Sequence, residues 1–284
     1  MKDFGIYPKN NHIYTGSEEK FGIIIDDENY IVKFQKNSET GLINNHISEH
    51  IGSNIFNLIG ESAQITMLGT YQGRSVVVCK DFNEDGETFV PFNGVGESSL
   101  ERDKELYHYT YEDITHMLQE NAKITNISEV IEKFWNMYII DALIGNFDRH
   151  GANWGFIKKD QSYRFAPVFD NGSSLFPRRN SDELLKEVLE DENKLKEITY
   201  KYPTSQIRLG RIKSSYFEVI NSLRFEDCNK ALERIYHKID LDKINKFINI
   251  QEGLTELQKA FYIRVIDYRY HQVIKASYLK LRGK

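Results

Sequence analysis

The chain has 284 residues with 37 basic and 42 acidic side chains, and its formal net charge of −5 gives no general reason to expect direct nucleic-acid binding. With 40% hydrophobic and 13% aromatic residues it can build one large core or two smaller ones, which argues against a disordered chain. The longest apolar runs, Phe21 to Ile25 and Val76 to Cys79, fall far short of the roughly 20 residues of a membrane span, and Met1 to Gly5 lacks the pattern of a secretory signal, so a soluble protein without a membrane partner is expected.

Phe21 to Ile25 and Tyr30 to Phe34 are apolar and β-branched clusters around Asp26-Asp27-Glu28-Asn29, the pattern of a hairpin with a polar turn. Asn45 to Ile59 places Ile47, Ile51, Ile55 and Leu58 or Ile59 at helical spacing, with Gly60 as a stop. Two more strands are expected over Gln64 to Tyr71 and Arg74 to Phe82, joined tightly at Gln72-Gly73. Residues 1–82 thus read as a small, sheet-rich lobe with one helix. The polar, glycine-bearing stretch 83–99 reads as a hinge or linker, and its Phe92-Asn-Gly-Val-Gly96 as a loop. Helices dominate 100–284. The strongest runs from Asn126 to Gly145, opened by an Asn126-x-x-Glu129 capping box and carrying Ile127, Val130, Ile131, Phe134, Tyr138 and Ala142 at three- and four-residue steps. A second hairpin is expected from Trp154 to Ile157 and Tyr163 to Phe169, and the remainder reads as amphipathic helices such as Leu254 to Leu281.

The chemistry concentrates in Asp148-Arg149-His150-Gly151-Ala152-Asn153, between the long helix and the second hairpin, and in Asp170-Asn171-Gly172 after that hairpin. Either stretch alone is an ordinary turn signature. Their order, downstream of a sheet-rich lobe, points to phosphoryl transfer, where the protein positions groups and neutralises charge around Mg²⁺. Asn153 and Asp170 offer the hard oxygens that Mg²⁺ takes, Asp148 is left to orient the attacking hydroxyl and accept its proton, and His150 can hold the loop or the nucleotide. The first lobe supplies Lys33 in a strand and Glu49 in the next helix, matching the ion pair that clamps the α- and β-phosphates in protein kinases. Exposed, solvated side chains are an equal account of each taken alone, and the downstream motif favours the pair. Gly16 and Gly22 flank a hydroxyl-rich turn whose backbone N–H groups can cover phosphates, though no Gly-Lys-Ser/Thr ends it as in a Walker loop.

Lys33 in Val-Lys-Phe, Glu49, Leu143-Ile-Gly-Asn-Phe-Asp-Arg-His-x-x-Asn153 and Ala166-Pro-Val-Phe-Asp170 resemble the C-terminal kinase domain of HipA-like bacterial serine/threonine kinases. Within that family the wording around Phe134 to Met137, Asn153 to Phe156 and Phe169 to Ser173 is similar to a cell-translocating subgroup. The resemblance spans roughly residues 12 to 280. It implies an α+β, two-lobed, protein-kinase-like fold and an autophosphorylating Ser/Thr kinase that uses ATP and Mg²⁺. It further implies Asp148 as base, Asn153 and Asp170 as metal ligands, Lys33 on the ATP phosphates and Glu49 as its partner. By the same resemblance Thr15, Gly16, Ser17 and Lys20 belong to a phosphate-covering loop, and Cys79 and Asp81 to an adenine-contacting hinge. Typical members carry a further N-terminal domain that helps dock a small DNA-binding antitoxin, whereas here the kinase-like region begins almost at Met1. They also carry a regulatory Ser three residues ahead of the loop glycine. Ile13 stands there, with Tyr14, Thr15 and Ser17 as alternative hydroxyls.

The expected partner is therefore a protein with a Ser or Thr acceptor, with an antitoxin-like or DNA-binding protein as a further one. Two cysteines, Cys79 and Cys228, suggest a reducing, cytoplasmic setting, and translocation out of the cell follows from the resemblance only. The rival readings are a phosphoinositide-type lipid kinase, which shares an Asp-Arg-His-x-x-Asn loop, a catalytically silent nucleotide-binding module, and a metal-dependent hydrolase using Asp148, His150 and Asp170. Arg178-Arg179 and the basic cluster 207–213 can guide an acidic peptide, but solvated charge explains them more simply. Ordinary packing does the same for Tyr107, Tyr109 and Tyr111.

Overall fold

A computed structural model of the chain describes residues 1–14, 19–39, 41–95, 114–115, 118, 126–210 and 212–283. The strands are β1 (Lys2–Asp3), β2 (Lys20–Ile25), β3 (Glu28–Phe34), β4 (Asn37–Ser38), β5 (Gly41–Leu42), β6 (Thr66–Tyr71), β7 (Arg74–Lys80), β8 (Glu87–Pro91), β9 (Gly155–Lys159) and β10 (Ser162–Phe165). The helices are α1 (Asn45–Ile59), α2 (Phe92–Val95), α3 (Ile127–Ile144), α4 (Asp182–Glu190), α5 (Glu192–Lys196), α6 (Tyr216–Ser222), α7 (Glu226–Lys238), α8 (Leu241–Asn249), α9 (Glu256–Arg269) and α10 (Ala276–Arg282). Wider π-type turns follow α5 over Glu197–Lys201 and join α9 to α10 over Tyr270–Lys275. The chain is a mixed α+β fold that divides into two compact units, each assembled from three segments.

The first unit comprises Met1–Phe82, Val168–Glu192 and Asp240–Val265. Its sheet runs β1-β6-β7-β3-β2, antiparallel except for the parallel β1–β6 pair. The polar turn expected over four residues contracts to two, because Asp26 (φ 50°) and Asp27 (φ 62°) both adopt the left-handed conformation that a tight two-residue hairpin requires, leaving Glu28 and Asn29 in β3. Gln72 (φ 51°) and Gly73 (φ 77°) turn β6 into β7 in the same way. Phe4, Ile23, Ile25, Val32, Phe34, Tyr71, Val76 and Val78 form a core on one face of the sheet. The alternate residues Val77 and Cys79 are buried too, so the central strand β7 reads as a continuous apolar run. Ile47, Ile51, Ile55 and Ile59 form the buried stripe of α1, each contributing about 1.5–3 kcal/mol when taken fully out of water. Gly60 (φ 87°) ends the helix, its N–H bonded to Asn57 O.

The second unit comprises Asn83–Pro167, Asn193–Ile239 and Ile266–Lys284. Helix α3 is its centre. Asn126 caps it by accepting from Glu129 N–H, Gly145 (φ 64°) ends it, and it packs against α7. Trp135 is fully buried against Phe225 and Tyr138. The second sheet runs β10-β9-β8. The sequence did not announce β8, which lies inside the polar stretch 83–99, nor α2, which occupies the segment expected to be a loop. Both are decided by non-local pairing: β8 joins β9 from Glu87↔Lys159 to Pro91↔Gly155, and the ring of Phe92 stacks on Trp154 at 4.2 Å.

Candidate functional site

Within the first unit, β3 carries Lys33 and α1 carries Glu49, at 7% and 2% exposure. Their charges meet at 3.4 Å between Nζ and Oε1. The same Oε1 accepts the backbone N–H of Asp170 at 3.1 Å, so one carboxylate oxygen holds both the cation and the backbone of the second acidic residue. Asp170 has φ 56°, uncommon for a residue with a side chain. Gly172 follows close to α1, where a Cβ would stand 3.4 Å from both Asn45 O and Glu49 Oε2. Lys20 stands directly across the β2–β3 ladder from Lys33, on the same face of the sheet.

The residues read as a hinge lie at the end of β7. Cys79 is fully buried in the central strand. The Asp81 N–H donates to Asn29 O at 2.8 Å, so the amide is already committed inside the sheet. Its carboxylate accepts the Tyr14 hydroxyl at 2.9 Å. Burial, above all, pushes the Tyr14 phenol up to about 12, opposed by the Asn10 amide. Thr15, Gly16 and Ser17 lie outside the described residues.

Asp148, Arg149, His150 and Asn153 belong to the second unit, on the loop that leaves α3. Asp141, fully buried in the last turn of α3, is gripped by Arg149 through Nε at 2.9 Å and Nη2 at 3.1 Å. Burial pushes the Asp141 carboxyl above its ordinary value, and the Arg149 guanidinium and the Asn146 amide work against that rise. Asn146 donates to Asp141 at 3.1 Å and accepts Asp148 N–H at 3.0 Å. Arg149 Nη1 donates to Asn153 O at 2.9 Å, and Asn153 Nδ2 donates to Asp148 O at 2.8 Å. These bonds fix the backbone of the loop while the Asp148 side chain stays 49% exposed. His150 Nδ1 accepts Ala152 N–H at 3.2 Å, and its Nε2 lies 3.9 Å from Asp148 Oδ1, beyond hydrogen-bond reach. Gly151 is pressed against Asn93 of α2 and its carbonyl accepts Asn93 N–H, so the missed helix braces this loop.

The sequence reading gave no role to Asp141 or Asn146. A signal was present, since a lone carboxylate in Tyr138-Ile-Ile-Asp-Ala-Leu-Ile144 demands a buried partner. Arg269 was missed as well. It is fully buried, donates to the carbonyls of Ala142, Ile198 and Tyr202, and so caps the C-terminal end of α3. Of the basic residues singled out, Arg179 pairs with Glu187 at 3.0 Å, while Arg211 and Tyr107, Tyr109 and Tyr111 lie outside the described residues. Among the described residues no helix is long and apolar enough to cross a membrane.

Residues 13–244 match the model of the HipA-like C-terminal domain. The chain is 31% identical over 268 residues to the serine/threonine-protein kinase CtkA of Helicobacter pylori, covering 92% of this chain and 82% of the relative. It superposes on the crystal structure of the Helicobacter pylori proinflammatory kinase CtkA with a TM-score of 0.92 and 30% identity, over 99% of this chain and 98% of that one. Shewanella oneidensis HipA, solved with HipB and operator DNA, shares the fold at a TM-score of 0.54 and 14% identity, over 98% of this chain and 68% of that one.

Proposed function

The chain belongs to the HipA-like C-terminal domain family, and from that membership we propose an ATP- and Mg²⁺-dependent serine/threonine protein kinase that also phosphorylates itself. That the chain is a HipA-like kinase rests on its identity to CtkA over most of both chains. Lys33 binds the α- and β-phosphates and Glu49 holds its ammonium in place. Lys20 faces Lys33 across the hairpin, and like charges in that register are unfavourable in a bare sheet.

Asp148 orients the acceptor hydroxyl and takes its proton, from a loop whose backbone is already fixed. By the family's pattern Asn153 and Asp170 would hold the metal, and their chemistry fits Mg²⁺: both offer hard oxygens, and the Asn153 amide nitrogen is engaged by Asp148 O, which leaves its Oδ1 to serve as a ligand. Bound Mg²⁺ would draw charge from the phosphates. His150 braces the loop through Ala152. The observation that supports the reading best is Glu49 Oε1 taking both Lys33 and the Asp170 amide.

Incubation with Mg-ATP and a generic protein substrate tests it. Wild type should label itself or the substrate, and Asp148→Ala and Asp170→Ala should each lose at least ~100-fold, the low end of a general-base contribution. Labelling of inositol lipid in place of protein would move the assignment to a lipid kinase. ATP binding without turnover would reduce the chain to a nucleotide-binding module. Mass spectrometry of the purified wild type against Asp148→Ala locates the self-modified residue.

A further inference from the structure

The turn after Asp170 makes an unusually close fit to one face of α1. Asn171 is fully buried, and its Nδ2 donates to Ser53 Oγ at 2.9 Å. Its carbonyl accepts the Ser174 hydroxyl at 2.6 Å and the Ser174 N–H at 3.0 Å, and the same hydroxyl lies 3.4 Å from Ser48 O. Asn45, Ser48, Glu49, Gly52 and Ser53 occupy the receiving face at three- and four-residue spacing. Gly52 is the closest point. A Cβ there would stand 2.8 Å from Asn171 Cβ and 3.0 Å from Ser174 Oγ, so only glycine lets the turn approach this far. Glycine inside a helix is unfavourable, and a left-handed Asp170 is unfavourable as well. Two local costs at one contact indicate that the contact fixes something the fold alone does not need.

We propose that Asn171, seated on Ser53 and Gly52 of α1, is a positioning residue that holds Asp170 in its left-handed conformation and so sets the affinity of the metal site. The proposal rests on the assignment of Asp170 as a metal ligand. Glu49 grips the Asp170 amide and Ser53 anchors the next residue, Asn171, so the backbone that carries Asp170 is tied on both sides to the helix that carries the phosphate clamp. The sequence shows only Asp-Asn-Gly, an ordinary turn signature that gives Asn171 no partner.

Mn²⁺ serves as the probe, titrated by electron paramagnetic resonance into the full-length chain with saturating ADP. Asn171→Ala and Gly52→Ala should weaken Mn²⁺ by about tenfold, while metal-free ADP affinity, read by calorimetry, stays within about twofold. Ser53→Ala, which removes one hydroxyl and leaves the packing intact, should weaken Mn²⁺ in the same direction and keeps the test alive if Asn171→Ala does not fold. A merely structural role would lower the melting temperature and leave the Mn²⁺ affinity of the folded fraction untouched, which would overturn the proposal. Asp170→Ala run in parallel separates the two layers. If Asp170→Ala loses Mn²⁺ and the other three variants keep it, only the positioning role falls. If Asp170→Ala also keeps it, the metal assignment falls with it.

Discussion

Asp148 and Glu49 are both acidic, yet burial gives them opposite consequences on mutation. Asp148 is half-exposed and its loop is held by backbone bonds, so Asp148→Ala should leave stability within about 0.5 kcal/mol in a denaturant melt while removing kinase activity. Glu49 is buried against Lys33 and the Asp170 amide, so Glu49→Ala removes one acceptor that both of them use in the interior and should cost about 3–5 kcal/mol in the same melt. His46 and His50 on α1 carry a pH signature. Burial depresses His46 to about 4 and lowers His50 as well. A histidine depressed in the folded state binds its proton more readily when unfolded, so its contribution is present above the ordinary value of 6.5 and is lost as pH falls from there toward about 4. Urea melts between those limits should show falling stability, with a shallower slope for His46→Gln. An unchanged slope would locate the sensitivity elsewhere.

At the scale of elements, periodicity and turn chemistry carried far. The isoleucine stripe and Gly60 mark α1, the Asn126 cap and Gly145 mark α3, and Asp-Asp and Gln-Gly mark the two tight hairpins, because each signal lies within a few residues of what it specifies. Strand β8 has no such local signal. It is a strand because β9 offers its edge, and the fit is close: a Cβ on Gly155 would lie 2.3 Å from Val90 O and 2.8 Å from Pro91 Cα. Gly155→Ala should therefore destabilise by about 1–3 kcal/mol, the range for overpacking, even though alanine has the better strand backbone entropy. A neutral result in thermal unfolding would mean that β8 yields easily. The continuous helical path from Glu256 to Arg282 was legible as one amphipathic run, and its π-type turn was not.

For the whole molecule, the segments that complete each unit come from far along the chain. Helix α1 depends on Asn171 and Ser174, on Pro177 O, which accepts Asn44 N–H, and on Gln251, which meets His50 Nε2 at 3.0 Å. A fragment ending at Phe82 lacks all of these and should give the narrow, poorly dispersed amide spectrum of an unfolded chain in NMR, whereas the full chain should give a dispersed one. A folded fragment would show that 168–192 and 240–265 are dispensable to the sheet. The sequence by itself determined most of the local elements and the Asp148 to Asn153 loop between α3 and β9, since these follow from spacing and residue type along one stretch of backbone, and its motifs carried the resemblance to the family. Only the tertiary structure decided that Glu49 holds the Asp170 amide, that Asp141 pairs with Arg149, that Arg269 closes α3 and that Asn171 is a core residue. A buried polar group is defined by its partner, and no local pattern specifies a partner that the fold brings in from a distant part of the chain.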